Sequence, residues 1–266
     1  MPKAKNRKVK NMKILAIGNS FSDDCMEYVP DILKSMSFNE FFLGNLYIGG
    51  CSLSRHYDNI INNNPTYEYR TNCGDGWTTE CDYKLSDALA SQDWDYISMQ
   101  QASGFSGEIE SYSVLDSLIT EVRKICGNSP RIVWHMTWAY QGNSTHGDFP
   151  KYGCDQMKMY RSIADVVQGR IVPDGRFFAV IPSGTAIQNA RTSFIGDNLT
   201  RDGFHLSYDL GRYIAGLTYA CILTGKSPAD VKFAPDGIDE KHRSVAIEAV
   251  INALNDKFRV TESLYK

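Results

Sequence analysis

Apolar residues in this chain fall into short, near-continuous runs separated by stretches in which they recur every three or four positions. The runs Lys13 to Ile17, Glu40 to Ile48, Tyr96 to Met99, Arg131 to Met136 and Arg176 to Ile181 read as strands buried on both faces. Helical spacing marks Asp24 to Met36, where Tyr28, Ile32, Leu33 and Met36 share a face and Pro30 sits in the early turns. It also marks Asp82 to Ala90, residues 111–126 and 155–168, Leu210 to Thr224 and Ile238 to Phe258. Cys51 to Thr79, polar and rich in Asn, Gly and Tyr, reads as a long excursion. Strands that alternate with helices predict an α/β fold: a three-layer α/β/α sandwich around a central parallel sheet of about five strands, flavodoxin-like in topology. With no internal repeat, low-complexity tract or linker, residues 12–266 are expected to form one domain behind a basic tail, residues 1–11.

Charge narrows the partners. Lysines or arginines stand at 3, 5, 7, 8, 10 and 13, yet the whole chain carries −3, so the basic stretch reads as a solvated tail and no nucleic-acid partner is expected. No run approaches the roughly 20 apolar residues that span a membrane, so no membrane span is expected. Ile14 to Ile17 is too short for the apolar region of a secretory signal. As written the chain is expected in the cytoplasm; had a signal peptide been removed, it would be periplasmic or secreted. Seven cysteines, none in CxxC or zinc-like spacing, argue against a metal site. Cys73 and Cys81 are read either as a local disulfide or as free thiols.

In open α/β sheets, ligands bind beyond the carboxyl ends of the strands. The first strand ends in Gly18-Asn19-Ser20-Phe21-Ser22, which places a serine at a helix start. Taken alone, Ser20 or Ser22 is better read as a helix cap. A serine nucleophile needs a base, and the base needs an orienting acid. Of the histidines at 56, 135, 146, 205 and 242, only His205 has an acid three residues earlier in a loop before a helix, in Asp202-Gly203-Phe204-His205. The order Ser, Asp, His with the serine in a GxSxG elbow would indicate an α/β-hydrolase, but that elbow is missing.

With the serine after strand one and Asp-x-x-His near the C-terminus, the chain resembles the SGNH/GDSL hydrolases, with Asn19 where their first block has Asp. Gly49-Gly50-Cys51-Ser52-Leu53 matches the second block, which makes Gly50 an oxyanion donor by resemblance. Where the third block usually has Asn, this chain has Gln100-Gln101-Ala102-Ser103, similar to the Gln-x-x-Ser of sialate and xylan acetylesterases. Gln100 is then the side-chain donor, with Gln101 as substitute. Including His205-Leu206-Ser207 and Gly211-Arg212-Tyr213, the pattern from about residue 12 to 225 looks closest to a bacterial subgroup known as DUF4886.

The resemblance implies a serine esterase that needs no cofactor or metal. Ser20 would be the nucleophile, His205 the base and Asp202 its support; Ser20, Gly50 and Gln100 would form the oxyanion hole. Aromatic residues among polar loops, with Trp138, Tyr140 and His56 as the substrate contacts, suit a small-molecule or oligosaccharide ester, an acetyl group on a carbohydrate being the first choice. Other readings stay open: a non-catalytic glycan-binding module, a lipase or thioesterase for longer acyl chains, or a nucleotide binder. Asp23-Asp24 beside the first loop counts against the nucleotide binder. Nothing in the sequence sets the oligomeric state.

Overall fold

In a computed structural model, residues 11–266 are described. The basic tail therefore lies, apart from Asn11, outside the described residues. The sheet has seven strands: β1 (Met12–Gly18), β2 (Phe41–Tyr47), β3 (Pro65–Asn72), β4 (Trp77–Lys84), β5 (Tyr96–Met99), β6 (Arg131–His135) and β7 (Phe177–Ile181). Their order is β4-β3-β2-β1-β5-β6-β7. The five strands expected from sequence form the parallel part, with Ile14, Leu15, Ala16 and Ile17 of β1 buried on both faces.

Nine α-helices flank the sheet among the described residues: α1 (Ser20–Met26), α2 (Val29–Ser35), α3 (Leu53–Ile61), α4 (Leu85–Ala90), α5 (Leu115–Cys126), α6 (Gln156–Val166), α7 (Ser183–Arg191), α8 (Leu210–Thr224) and α9 (Glu240–Asn255). One group, α1, α2, α7, α8 and α9, packs together, and α3, α4 and α5 form another. Right-handed crossovers explain the division. The chain moves one way from β1 to β2, then returns past β1 to β5 and on to β7. Strand order thus reverses at β1, between β1 and β5, where ligands of such sheets bind.

Three local departures from the sequence reading have physical causes. The helix expected over Asp24–Met36 is two helices, because Pro30 has no amide hydrogen to extend the first; it sits instead in the opening turn of α2. The expected loop Cys51–Thr79 contains α3 and most of an antiparallel hairpin, β3–β4. Tyr67 and Tyr69 alternate inward at 1% and 5% exposure, so the period of two was present among polar neighbours. β4 is the sheet edge and mostly exposed, which is why its sequence, through Asp82 to Lys84, looks like loop or helix. Finally, α7 lacks the apolar periodicity that would announce it: it is buried on every side, with Ser183, Thr185, Gln188 and Asn189 inside.

Candidate active site

β1 ends at Gly18, and Asn19 caps α1. The Asn19 Oδ1 accepts from the Phe21 amide at 3.0 Å and from Gln100 Nε2 at 2.8 Å, while its Nδ2 donates to the Cys51 carbonyl at 3.1 Å. One side-chain amide therefore joins the loops after β1, β2 and β5. An aspartate there would accept but could not donate to Cys51. The capping role offered to Ser20 or Ser22 belongs to Asn19, and Ser22 is buried, its hydroxyl 2.8 Å from both the Asn19 carbonyl and Asn45 Oδ1. Gly18 permits this closeness, since a Cβ there would lie 2.4 Å from Ser22 Oγ. Ser20 is the first residue of α1 and half-buried, so its amide has no partner within the helix. Its hydroxyl makes no hydrogen bond among the described residues.

Gly50 occupies an exposed turn after β2 at φ +61°, a conformation that favours glycine, with open space where a side chain would go. Gln100 follows β5 and is 2% exposed. Its Oε1 accepts from His135 Nδ1 at 2.7 Å, and His135 Nε2 in turn accepts from the Ser183 hydroxyl at 3.1 Å. With one amide hydrogen on Asn19, Gln100 retains one other. Gln101 retains none: its Nε2 meets the Ser111 carbonyl and hydroxyl, and its Oε1 takes the Leu53 and Ala102 amides. It cannot substitute for Gln100.

His205 Nδ1 lies 2.6 Å from Asp202 Oδ2, and Asp202 Oδ1 accepts the His205 amide at 2.8 Å. Burial raises the Asp202 carboxyl, but the bonds from the His205 ring and the His205 and Phe204 amides outweigh it and hold the group below the usual carboxylate range. The His205 ring packs edge-on to Phe21, the neighbour of Ser20, with centroids 6.1 Å apart. No hydrogen bond joins Ser20 to His205; such bonds commonly tighten only with substrate bound. What brings the two segments together is Asp24. This fully buried carboxylate accepts from Arg201 Nη1 and Arg212 Nε, each at 2.8 Å, and from the Leu206 amide at 2.9 Å.

The aromatic residues chosen as substrate contacts lie elsewhere. Trp138, Tyr140 and His56 are all 0% exposed and present no face to a sugar. Trp138 stacks on Phe21 at 4.2 Å and donates to the Phe204 carbonyl, so it backs the His205 loop from inside. The Tyr140 hydroxyl pairs with Ser103, and His56 bonds the Tyr67 hydroxyl beneath the hairpin. Cys73 and Cys81 are free. Cys73 lies beyond the Asn72–Trp77 pair and Cys81 beyond the Tyr69–Glu80 pair. Three strand residues, roughly 10 Å, separate those pairs, more than a disulfide spans. Among the described residues no group of three or more His, Cys, Asp or Glu could hold a metal, and no helix is long and apolar enough to cross a membrane.

The sequence profile of DUF4886, a domain of unknown function, matches residues 13–253. The chain belongs to the DUF4886 family. A crystal structure of a DUF4886 protein from Bacteroides uniformis is 44% identical, covers 95% of this chain and 98% of its own, and superposes with a TM-score of 0.91. A structure from Parabacteroides merdae, named for a GDSL-like lipase, is 13% identical over 81% of this chain and 96% of its own, with a TM-score of 0.54. That second likeness shows the shared hydrolase fold. No curated protein matches the sequence.

Sequence reasoning passed over Arg201 in this DUF4886 chain; it took Asp24 only as a charge that opposes phosphate, Arg212 only as part of the family pattern, and Asn19 only as a departure from Asp. A charged residue inside a helix whose neighbours Phe21, Cys25 and Met26 are apolar was the available signal for Asp24. His135, at the end of β6, was visible as a strand-end histidine without an acid.

Removing Asp24 takes the shared acceptor from two guanidinium groups and the Leu206 amide, leaving Arg201 only the Leu206 carbonyl and Arg212 only Glu27 at 3.4 Å. Asp24→Ala should therefore lower stability by about 3–5 kcal/mol, read from urea midpoints; a loss under 1 kcal/mol would contradict the assigned role. Burial pushes His56 and His135 down to about 3, His56 with help from Arg55. Because the folded pKa values lie below the unfolded value of about 6.5, both histidines support the fold fully above that pH. The support is lost as pH falls toward 3, at about 1.4 kcal/mol per pH unit for each. His135→Gln should reduce the slope of stability between pH 6 and 4.5 by one proton; an unchanged slope would mean that His135 charges without unfolding.

Proposed function

We propose that this DUF4886 chain is a serine esterase that forms an acyl-enzyme on Ser20. The observation that carries the reading is the Asp202–His205 pair, held at 2.6 Å in a loop that Asp24 fastens to the helix beginning at Ser20. Asp239 holds His242 Nδ1 at 2.7 Å in the same way at the start of α9, so the carboxylate alone does not mark a catalytic histidine. His205 differs in packing on Phe21, the neighbour of a serine whose hydroxyl and amide are both without partners among the described residues.

In the proposed reaction His205 Nε2 takes the Ser20 proton as Oγ bonds to the ester carbonyl carbon. Asp202 holds the ring in the tautomer with hydrogen on Nδ1 and offsets the charge that the ring gains. The carbonyl oxygen becomes an oxyanion and is met by the Ser20 and Gly50 amides and the remaining amide hydrogen of Gln100. Collapse breaks the bond to the alkoxide, which leaves with the proton from His205. Water, deprotonated by His205, then attacks the acyl-enzyme, and the acid departs as the Ser20 proton returns.

The acyl group in this proposal is short, acetyl first, and its alcohol is a carbohydrate. Gly49, Gly50, Ser52, Gln100 and Ser103 at the strand ends are small or polar and offer no aliphatic surface for a long chain. Hydrolysis of p-nitrophenyl acetate should vanish in Ser20→Ala and fall about 10²–10³-fold in Gln100→Ala. Octanoate should be the poorer ester. Retained Ser20→Ala activity would sink the nucleophile, and a preference for octanoate would turn the reading to a lipase or thioesterase.

A further inference from the structure

α1 and the β3–β4 hairpin enclose a cavity of about 180 Å³, lined by Asp23, Met26, Glu27, Asn45, Arg70, Trp77 and Thr79, so that Met26 and Trp77 give it an apolar wall beside the polar groups. Drug-sized ligands need roughly 300–1,000 Å³, so this space holds one small ring, the share of about six waters. Its position relates it to the site above. Asp23 lies three residues beyond Ser20 on α1, a spacing that stacks side chains on one helix face about 5–6 Å apart. Asn45 ties the two regions together, accepting from the Ser22 hydroxyl at 2.8 Å and donating to Asp23 at 3.4 Å.

The lining selects a ligand. Two carboxylates are met by two guanidinium groups, so among the described residues the walls carry no unpaired cation to hold an anion. Both carboxylates already have a cation: Arg70 pairs with Asp23, and Arg212 lies 3.4 Å from Glu27. A metal would have to displace these. An acyl chain would bury the Arg70–Asp23 pair against hydrocarbon, which is unfavourable without further hydrogen bonds. A neutral polyol fits on every count. Its hydroxyls can donate to Asp23 and Glu27 and accept from Arg70 and Thr79, and a ring can lie against Trp77. Trp77 is half-buried, its Nε1 3.4 Å from the Glu27 carbonyl, and Arg70 is fixed over the Tyr47 ring at 4.2 Å. The polar wall is therefore rigid before any ligand arrives, which lowers the cost of binding.

We propose that this cleft is a saccharide subsite, which receives a neutral sugar ring of the ester substrate one residue away from the acylated ring at Ser20. The inference rests on the esterase reading and gives it a substrate class. It also explains the hairpin as the element that supplies Arg70, Trp77 and Thr79.

Two variants outside the chemistry test it: Trp77→Ala, which removes the wall, and Thr79→Trp, which fills the space. Each is compared with the unaltered protein on p-nitrophenyl acetate and on O-acetylated xylo-, cello-, manno- and chito-trisaccharides. Both variants should raise KM for at least one trisaccharide about tenfold with kcat unchanged, and leave the p-nitrophenyl acetate rate within twofold. Ligand-observed NMR with the unacetylated trisaccharides should show binding to Ser20→Ala that either second substitution removes. Equal losses on both substrate classes, unchanged trisaccharide KM, or stronger binding of an acidic trigalacturonate would overturn the subsite. If the unaltered protein hydrolyses none of the esters, the esterase reading fails instead, and the NMR binding arm still decides whether the cleft takes a neutral sugar.

Discussion

A single buried carboxylate holds together the two segments from which the proposed site is built. Ser20 and His205 are 185 positions apart in sequence, and Asp24 brings their segments together by accepting from Arg201, Arg212 and the Leu206 amide. A lone carboxylate at that depth would be strongly disfavoured. With two guanidinium groups and an amide around it, the same charge becomes a lock that holds the loop against α1. Asn19 does the equivalent work at the other strand ends, with neutral bonds to the loops after β2 and β5. The two devices are adjacent on the chain, so the turn after β1 carries the alignment of the whole site.

Much of the architecture was legible because buried parallel strands are apolar almost without interruption. Tyr96–Met99 and Leu210–Thr224 have the same limits in sequence and structure. The hairpin was not legible for the opposite reason: an edge strand such as β4 keeps exposed Thr, Glu and Asp, and its pairing partner supplies the order that its own pattern lacks. The polar α7 was hidden in the same way, because its buried Ser, Thr, Gln and Asn are satisfied by distant groups such as the Ala249 and Lys257 carbonyls. The pairing of Asp202 with His205 could be anticipated, since three residues in a turn bring the carboxylate to the ring. Asp24 could not, because its partners lie about 180 residues away.

The substrate side shows where composition misleads. Trp138, Tyr140 and His56 looked like exposed aromatics on polar loops, yet they fill the interior and position others: Trp138 stacks on Phe21 and holds the Phe204 carbonyl behind His205. Loop polarity came from residues that cover these rings. Trp77, which does line a cavity, stands on the hairpin that the sequence pattern concealed.

The central claim is that Ser20, beside a carboxylate-oriented His205, is a nucleophile in the DUF4886 chain. Its most direct measurement is treatment of the native protein with a fluorophosphonate, followed by peptide mass spectrometry. The account predicts one adduct per chain, on Ser20, with labelling suppressed in His205→Ala although Ser20 is intact. An unlabelled native protein, or an adduct on another serine that persists in Ser20→Ala, would contradict it.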